Sequence, residues 1–325
     1  MKIGVIGAGA MGGSYGGLLA ESGHDVTLID ASEDHVAAIN QNGLRLSGVH
    51  GERMINVPAS VDIPAGLDAE CVIFFVDTNA TGDAARRVAS ALGPDGFAIT
   101  FQNGIGNVEA LQAAVGPERV LGGSSMCSAA SNGPGHVTLT HLGPTSLGEV
   151  TGESSERAID IANALTGAGL EAVVKPDIMA EIWQKFLLNV AINAICATTG
   201  LRPAEVARLE ALDAFQDRIL DEAFAVTEAK GITLPDADLR AKVKGQRAKL
   251  NRPSMLQHVE AGRQTEIDAI NGALLSEAKA LGVPTPYNEA LVALLKGREL
   301  KSRQRRENPD LDYDAWQQRL DAGEE

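Results

Sequence analysis

Lys185, Asn189 and Asn193 stand four residues apart within the stretch Ile182–Asn193, IWQKFLLNVAIN. In a helix, at ~100° per residue, each step of four advances only ~40°, so an ammonium and two carboxamides share one narrow stripe. Nearly everything else from Phe186 to Cys196 is apolar, and a helix apolar almost all round is a buried one. A buried ammonium beside two carboxamides is destabilising unless something anionic or polar meets it. The stripe therefore faces either internal partners or a cleft. In the plainer reading the lysine snorkels at the helix start and neighbouring backbone satisfies the asparagines.

A second constellation lies at the other end of the chain. Lys2 to Ile6 reads as a short buried strand that runs into Gly7-Ala8-Gly9-Ala10-Met11-Gly12, followed by a small-residue helix to about Ser22. Strand, G-x-G-x-x-G and helix together form the context of a dinucleotide site. Gly7 permits the tight turn, Gly9 lets the backbone approach a pyrophosphate, and Gly12 lets helix and strand pack closely. The helix N-terminus then offers unpaired N–H groups and a positive dipole end to the phosphates. The next strand, Asp25 to Ile29, ends at Asp30. A carboxylate there accepts hydrogen bonds from ribose hydroxyls and repels a 2′-phosphate, which points to NAD rather than NADP. Asp30 as a helix cap for 33–42 is compatible with that role.

These side chains need elements to place them. Alternating patterns predict a helix over 33–42, a strand at Cys71–Val76, a helix over 80–92, a strand over 97–101 and a helix over 107–114. Asn103, in the loop after the strand at 97–101, is placed to meet cofactor or substrate, although an Asn-Gly pair is also an ordinary turn. Short antiparallel strands over 120–150 and a strand near Glu171–Val174 close the sheet. Beyond Pro176 the strand signals stop, and helical patterns cover roughly 178–198, 204–230, 236–248, 255–281 and 286–300. The expected fold class is α/β: an N-terminal Rossmann-type doubly wound sheet over 1–176, then an all-α domain over 177–325 for substrate and catalysis.

Composition narrows the partners. At 325 residues two domains are the natural expectation, and 28 basic against 43 acidic residues leave a net charge of −15. That balance argues against nucleic acid and against an anionic membrane surface. Cys71, Cys127 and Cys196 lie far apart, with neither a disulfide framework nor metal spacing, which points to a reducing, cytoplasmic setting. Apolar runs such as 71–76 are too short to span a bilayer.

Four blocks carry a resemblance: GAGAMG at the start, FQNGIGN at 101–107, WQKFLLNVAIN at 183–193 and PSMLQHVEAGRQTEIDAING at 253–272. In this order, across both domains, the chain resembles the ketopantoate reductase (2-dehydropantoate 2-reductase) family. The resemblance implies that Lys185 is the general acid, that Asn189 and Asn193 hold substrate, and that Ser254 binds its carboxylate or hydroxyl. It further implies that Glu266 orients the lysine or binds substrate, that Asn103 lies by the nicotinamide end, and that a homodimer forms through the helical domain. Taken singly, Ser254 reads as a helix N-cap and Glu266 as a solvated helix residue.

The chain also departs from the family pattern. Asp30 replaces a common arginine, Asp77 a lysine, His258 an aspartate and Pro203 an asparagine. Three functions follow as expectations: a ketopantoate reductase using NADH, an NAD-linked dehydrogenase of another 2-hydroxy acid, or a non-catalytic NAD-binding redox sensor. A complete Lys185, Asn189, Asn193, Ser254 and Glu266 set argues against the sensor.

Overall fold

The computed structural model describes residues 1–245, 249–308 and 312–323. The last three residues of the helix expected over 236–248 and the end of the acidic tail lie outside them. The chain forms two compact units, Met1–Phe186 with Ile232–Ala237, and Leu187–Gly231 with Asp238–Glu325.

In the first unit the chain runs β1 (Lys2–Ile6), α1 (Ala10–Glu21), β2 (Asp25–Ile29), α2 (Glu33–Asn42), β3 (Leu44–Gly48), β4 (Arg53–Ile55) and β5 (Ala59–Ser60). It continues as β6 (Ala69–Phe74), α3 (Thr81–Val88), β7 (Leu92–Thr100), α4 (Asn107–Val115), β8 (Val120–Ser125) and β9 (Ser128–Ser131). Last come β10 (His136–His141), β11 (Thr145–Glu149), α5 (Glu156–Gly167), β12 (Ala172–Val174) and the start of α6 (Ile178–Thr199).

Eight strands pair in the order β12-β11-β8-β7-β6-β1-β2-β5. Pairing is parallel throughout except between β8 and β11. The strand order reverses at β1, so the carboxyl ends of β1 and β6 mark the switch point where such sheets hold ligands. Along β1 and β6 the side chains alternate between two cores. Ile3, Val5, Cys71 and Ile73 pack with α1 and α5 on one face. Ile6, Val72 and Phe74 pack with α3, α4, Ile178 and Ile182 on the other. The expected doubly wound architecture is therefore present.

Of the antiparallel strands expected over 120–150 to close the sheet, β8 and β11 do so, pairing antiparallel, and β9 and β10 do not. β8 extends the main sheet parallel to β7, while β9 and β10 leave it for a second sheet of order β4-β3-β10-β9. β10 runs parallel to β3, a pairing across some ninety residues of chain. Helix α1 lies between the sheets, which explains its glycines. A Cβ on Gly16 would stand 2.5 Å from Leu28 of the main sheet, and one on Gly17 would stand 2.8 Å from Leu44 of the second.

The second unit is helical among the described residues: the rest of α6, then α7 (Pro203–Val206), α8 (Glu210–Lys230), α9 (Leu239–Lys244), α10 (Ser254–Glu260), α11 (Asn271–Leu281), α12 (Pro286–Glu307) and α13 (Tyr313–Asp321). The helix expected over 255–281 is broken, because 261–270 forms turns between α10 and α11. Buried carboxamides stitch the bundle. Asn271 donates to the Val190 carbonyl (3.1 Å) and to Asn288 (2.9 Å), and Asn288 donates to Glu222 (2.7 Å). Glu222 in turn accepts the N–H groups of Tyr287 and Asn288 at the start of α12. No helix among the described residues is long and apolar enough to cross a membrane. All three cysteines are free, and burial pushes the Cys196 thiol up to about 12, with the Glu205 charge adding to it.

Candidate functional site

The loop between β1 and α1 is shaped by what its glycines avoid. Gly7 sits at φ +88°, and a Cβ there would stand 2.5 Å from the Val76 nitrogen in the loop after β6. A Cβ on Gly12 would stand 2.0 Å from the Gly7 carbonyl oxygen. Gly9, the N-cap of α1, would meet nothing within 4 Å, so its surroundings are open. The helix starts of α2 and α5 are each closed by a serine side chain, Ser32 and Ser155, with acidic residues in the first turn. Helix α1 has neither a side-chain cap nor an acid in its first turn. Its first-turn N–H groups and positive dipole end therefore adjoin the open space at Gly9, and Gly7, Ala8, Gly9, Ala10, Met11 and Gly12 are the residues that could meet a dinucleotide pyrophosphate.

Asp30 follows β2 on the same sheet edge. Its backbone N–H donates to the Ser60 carbonyl (3.1 Å), and its Oδ1 accepts from the Ser32 N–H (2.9 Å). Ser32, not Asp30, caps α2. The Asp30 carboxylate is therefore held at the strand end and retains acceptor capacity for ribose hydroxyls.

Asn103 lies past β7 and is anchored through its backbone. Its carbonyl accepts from the Thr78 hydroxyl (3.0 Å) and from the Asn107 side-chain amide (2.9 Å). Asn107 accepts from Thr81 (3.0 Å), and Thr81 accepts from Gln102 (2.7 Å), whose amide also reaches the Val76 carbonyl (2.8 Å). This network joins the loops after β6 and β7. Sequence reasoning missed Thr78, Thr81 and Gln102, although Asn107, four residues beyond Asn103 in FQNGIGN, was the available signal. Beneath the loops, burial pushes the Tyr15 phenol up, further raised by the Cys127 charge, so it stays protonated between Ser125 (2.7 Å) and Thr145 (2.6 Å).

Helix α6 carries the expected stripe. Asp177 accepts the Ala180 N–H (2.9 Å) and fixes the helix start. Lys185 and Asn189 are half-buried and Asn193 is buried, amid the buried Phe186, Leu187, Val190 and Ala194. The Asn189 Nδ2 is buried and has no hydrogen-bond partner among the described residues. Leaving such a donor unsatisfied costs about 1–3 kcal/mol, so its persistence fits a donor held for a ligand.

In the second unit, Ser254 is the first residue of α10 and makes no side-chain cap bond, the N-cap being Pro253. The plainer reading of Ser254 as a cap is therefore not what the chain adopts. Glu266 is not a solvated helix residue either: it lies in the turns between α10 and α11 and is buried at 7 % exposure. Of the departures from the family pattern, Asp77 is exposed, His258 is half-buried, and Pro203 starts α7.

Comparison with known proteins decides the family. The model described as "Ketopantoate reductase PanE/ApbA" matches residues 3–152, and its C-terminal counterpart matches residues 177–299. The chain belongs to the ketopantoate reductase family. It is accordingly an oxidoreductase acting on a CH–OH group with a nicotinamide cofactor. A 2-dehydropantoate 2-reductase of Pyrococcus horikoshii is 32% identical over 300 residues, 92% of this chain and 98% of that protein. The crystal structure of a PanE/ApbA family ketopantoate reductase from Ralstonia eutropha superposes with a TM-score of 0.87 at 31% identity, over 93% of this chain and 100% of that one. D-mandelate dehydrogenase, solved with NADH and anilino(oxo)acetate, superposes with a TM-score of 0.88 at 28% identity, with the same coverage of each chain.

Proposed function

We propose that the chain reduces the keto group of a 2-oxo acid to the 2-hydroxy acid, with ketopantoate the first candidate and NADH preferred over NADPH. The unpartnered, buried Asn189 Nδ2 on the Lys185 stripe carries the reading, because it is a donor prepared for a polar ligand. Gly7 to Gly12 and the N-terminus of α1 hold the pyrophosphate. Asp30 accepts from the adenosine ribose and disfavours a 2′-phosphate. The reduced nicotinamide, when bound, supplies the hydride that adds to C2 of the oxo acid.

Negative charge then grows on the carbonyl oxygen, and the Lys185 ammonium stabilises that oxygen and donates the proton that completes the alcohol. Asn189 and Asn193 donate to substrate oxygens, Ser254 binds its carboxylate or hydroxyl, and Asn103 steadies the nicotinamide end. Glu266, as the family resemblance implies, orients the lysine or binds substrate.

A second reading, an NAD-linked dehydrogenase of a different 2-hydroxy acid, is favoured by Asp30 and by the similarity to D-mandelate dehydrogenase. Steady-state oxidation of NADH and NADPH against a panel of 2-oxo acids separates the two. Ketopantoate as the best substrate, with NADH ahead, supports the first reading. Weak ketopantoate turnover beside strong turnover of an aryl or branched 2-oxo acid supports the second, and no turnover with any 2-oxo acid overturns both.

A further inference from the structure

His35, on the first turn of α2, is buried at 7 % exposure, and both of its ring nitrogens bind backbone. The Gly135 N–H lies 3.0 Å from Nδ1, and the Ala8 carbonyl oxygen lies 3.0 Å from Nε2. Neither partner can exchange roles: an amide N–H only donates and a carbonyl only accepts. Nδ1 therefore accepts, and Nε2 carries the proton and donates to Ala8. We propose that His35 is a positioning residue for the dinucleotide, setting its affinity by clamping the glycine-rich loop without touching the ligand. This rests on the reading that the loop holds the cofactor.

The peptide plane supplies the reasoning. The N–H groups of Gly7 and Ala8 both donate to the Ile29 carbonyl, at 2.8 and 3.2 Å. With the Ala8 carbonyl bound to His35, that side of the loop is fully engaged. A trans peptide directs its C=O and the following N–H in opposite directions. Fixing the Ala8 carbonyl against α2 thus aims the Gly9 N–H the other way. Among the described residues that N–H has no acceptor, and the space around Gly9 is open. It thus joins the first-turn N–H groups of α1 in facing a phosphate oxygen.

The clamp is part of a longer chain of contacts. The His35 N–H donates to the Ser32 hydroxyl (3.3 Å), and the Ser32 N–H donates to Asp30 Oδ1 (2.9 Å). One short segment, Asp30–His35, therefore orients both the ribose-binding carboxylate and the pyrophosphate loop. Its other anchor is the turn ending at Gly135. That residue has φ +68°, and a Cβ there would stand 3.0 Å from the Ala38 Cβ of α2, so only glycine brings this N–H so close.

The experiment is titration of NADH into the purified full-length protein and its variants, followed by nicotinamide fluorescence, with thermal unfolding of each ligand-free protein. H35N keeps an acceptor where Nδ1 stands but is too short to reach Ala8, so it cuts the loop clamp and spares the Gly135 anchor. H35Q reaches the Ala8 carbonyl with its amide N–H, as Nε2 does, but leaves no acceptor where Nδ1 stands. The expected result is an NADH Kd raised about 3- to 10-fold in H35N, the worth of one hydrogen bond, with most of that affinity restored in H35Q. Ligand-free unfolding temperatures should stay within a few degrees, and kcat at saturating NADH should move far less than Kd. G9V, which meets open space on folding and places a side chain where the phosphate sits, tests the underlying reading. If G9V loses NADH binding while H35N binds as tightly as the unaltered protein, the positioning role is overturned and the loop reading stands. If G9V binds NADH normally, the loop reading falls and the proposal with it.

Discussion

Lys185 shows how a single residue's chemistry depends on its neighbours along one helix. An ammonium donates a proton usefully only when held within hydrogen-bond reach of the developing alkoxide. Lys185 sits half-buried, one turn from an asparagine whose amide is held out of water. We expect K185A to lower kcat by about 10²-fold or more, because general acid catalysis contributes on that order. NADH affinity should be nearly unchanged, since the phosphates and ribose are held elsewhere, and single-turnover kinetics with a parallel NADH titration separate the two effects. Turnover surviving in K185A would place the acid elsewhere. At this scale the sequence was legible where chemistry and spacing coincide, as in the Lys185, Asn189 and Asn193 stripe. It was opaque where burial decides. Glu266 looks like one acid among several in a helical pattern, and only the turns at 261–270 make it a buried carboxylate. His35 gave no signal, because its partners are backbone atoms brought together by folding.

At the scale of elements, the parts recovered from sequence were those with strong local patterns: β1, β2, β6, α2 and α6 follow hydrophobic period and capping residues directly. The second sheet did not show itself, since β3 and β4 are five residues or fewer and the β10 to β3 pairing is remote in sequence. Helix α5 also escaped, its apolar face being mostly alanine, yet its attachment to the sheet is specific. Glu149, the last residue of β11, accepts from both Nε and Nη2 of Arg157 at 2.7 Å and from Ser155 at 2.6 Å, and Ser155 is the N-cap of α5. Burial acts to push the Glu149 carboxyl up, but the Arg157 and Ser155 hydrogen bonds and the Arg157 charge outweigh it, and the net shift is down. A depressed carboxylate stabilises the fold above its unfolded pKa, about 4.3, and that stabilisation is lost as pH falls through the lower folded value. E149Q should therefore destabilise the protein by about 1–3 kcal/mol at pH 7, the worth of hydrogen bonds to a charged group. The difference between E149Q and the unaltered protein in urea unfolding should shrink well below pH 4. A gap of constant size from pH 7 to pH 3 would mean that the carboxylate charge contributes nothing to holding α5.

For the whole molecule, the decisive quantity is the contrast between its summed charge and the charge at its ligand sites. The chain carries a net −15, yet both NADH and a 2-oxo acid are anions. The groups proposed to receive them are local: the first-turn N–H groups of α1 for the pyrophosphate, and the Lys185 ammonium for the oxo acid. The two effects differ in range, and salt tells them apart. The Debye length is about 30 Å at 0.01 M ionic strength and about 8 Å at 0.15 M. The diffuse repulsion from the acidic surface acts over tens of ångströms and is largely removed by that change. Contacts at hydrogen-bond distance inside the loop are screened far less. Added salt should thus speed the encounter without weakening the final contacts. We expect the association rate constant of NADH, measured by stopped-flow fluorescence, to rise several-fold from 0.01 to 0.15 M salt while the dissociation rate stays nearly constant. Association that slows with salt would mean that a local positive field reaches past the acidic surface and steers the cofactor in.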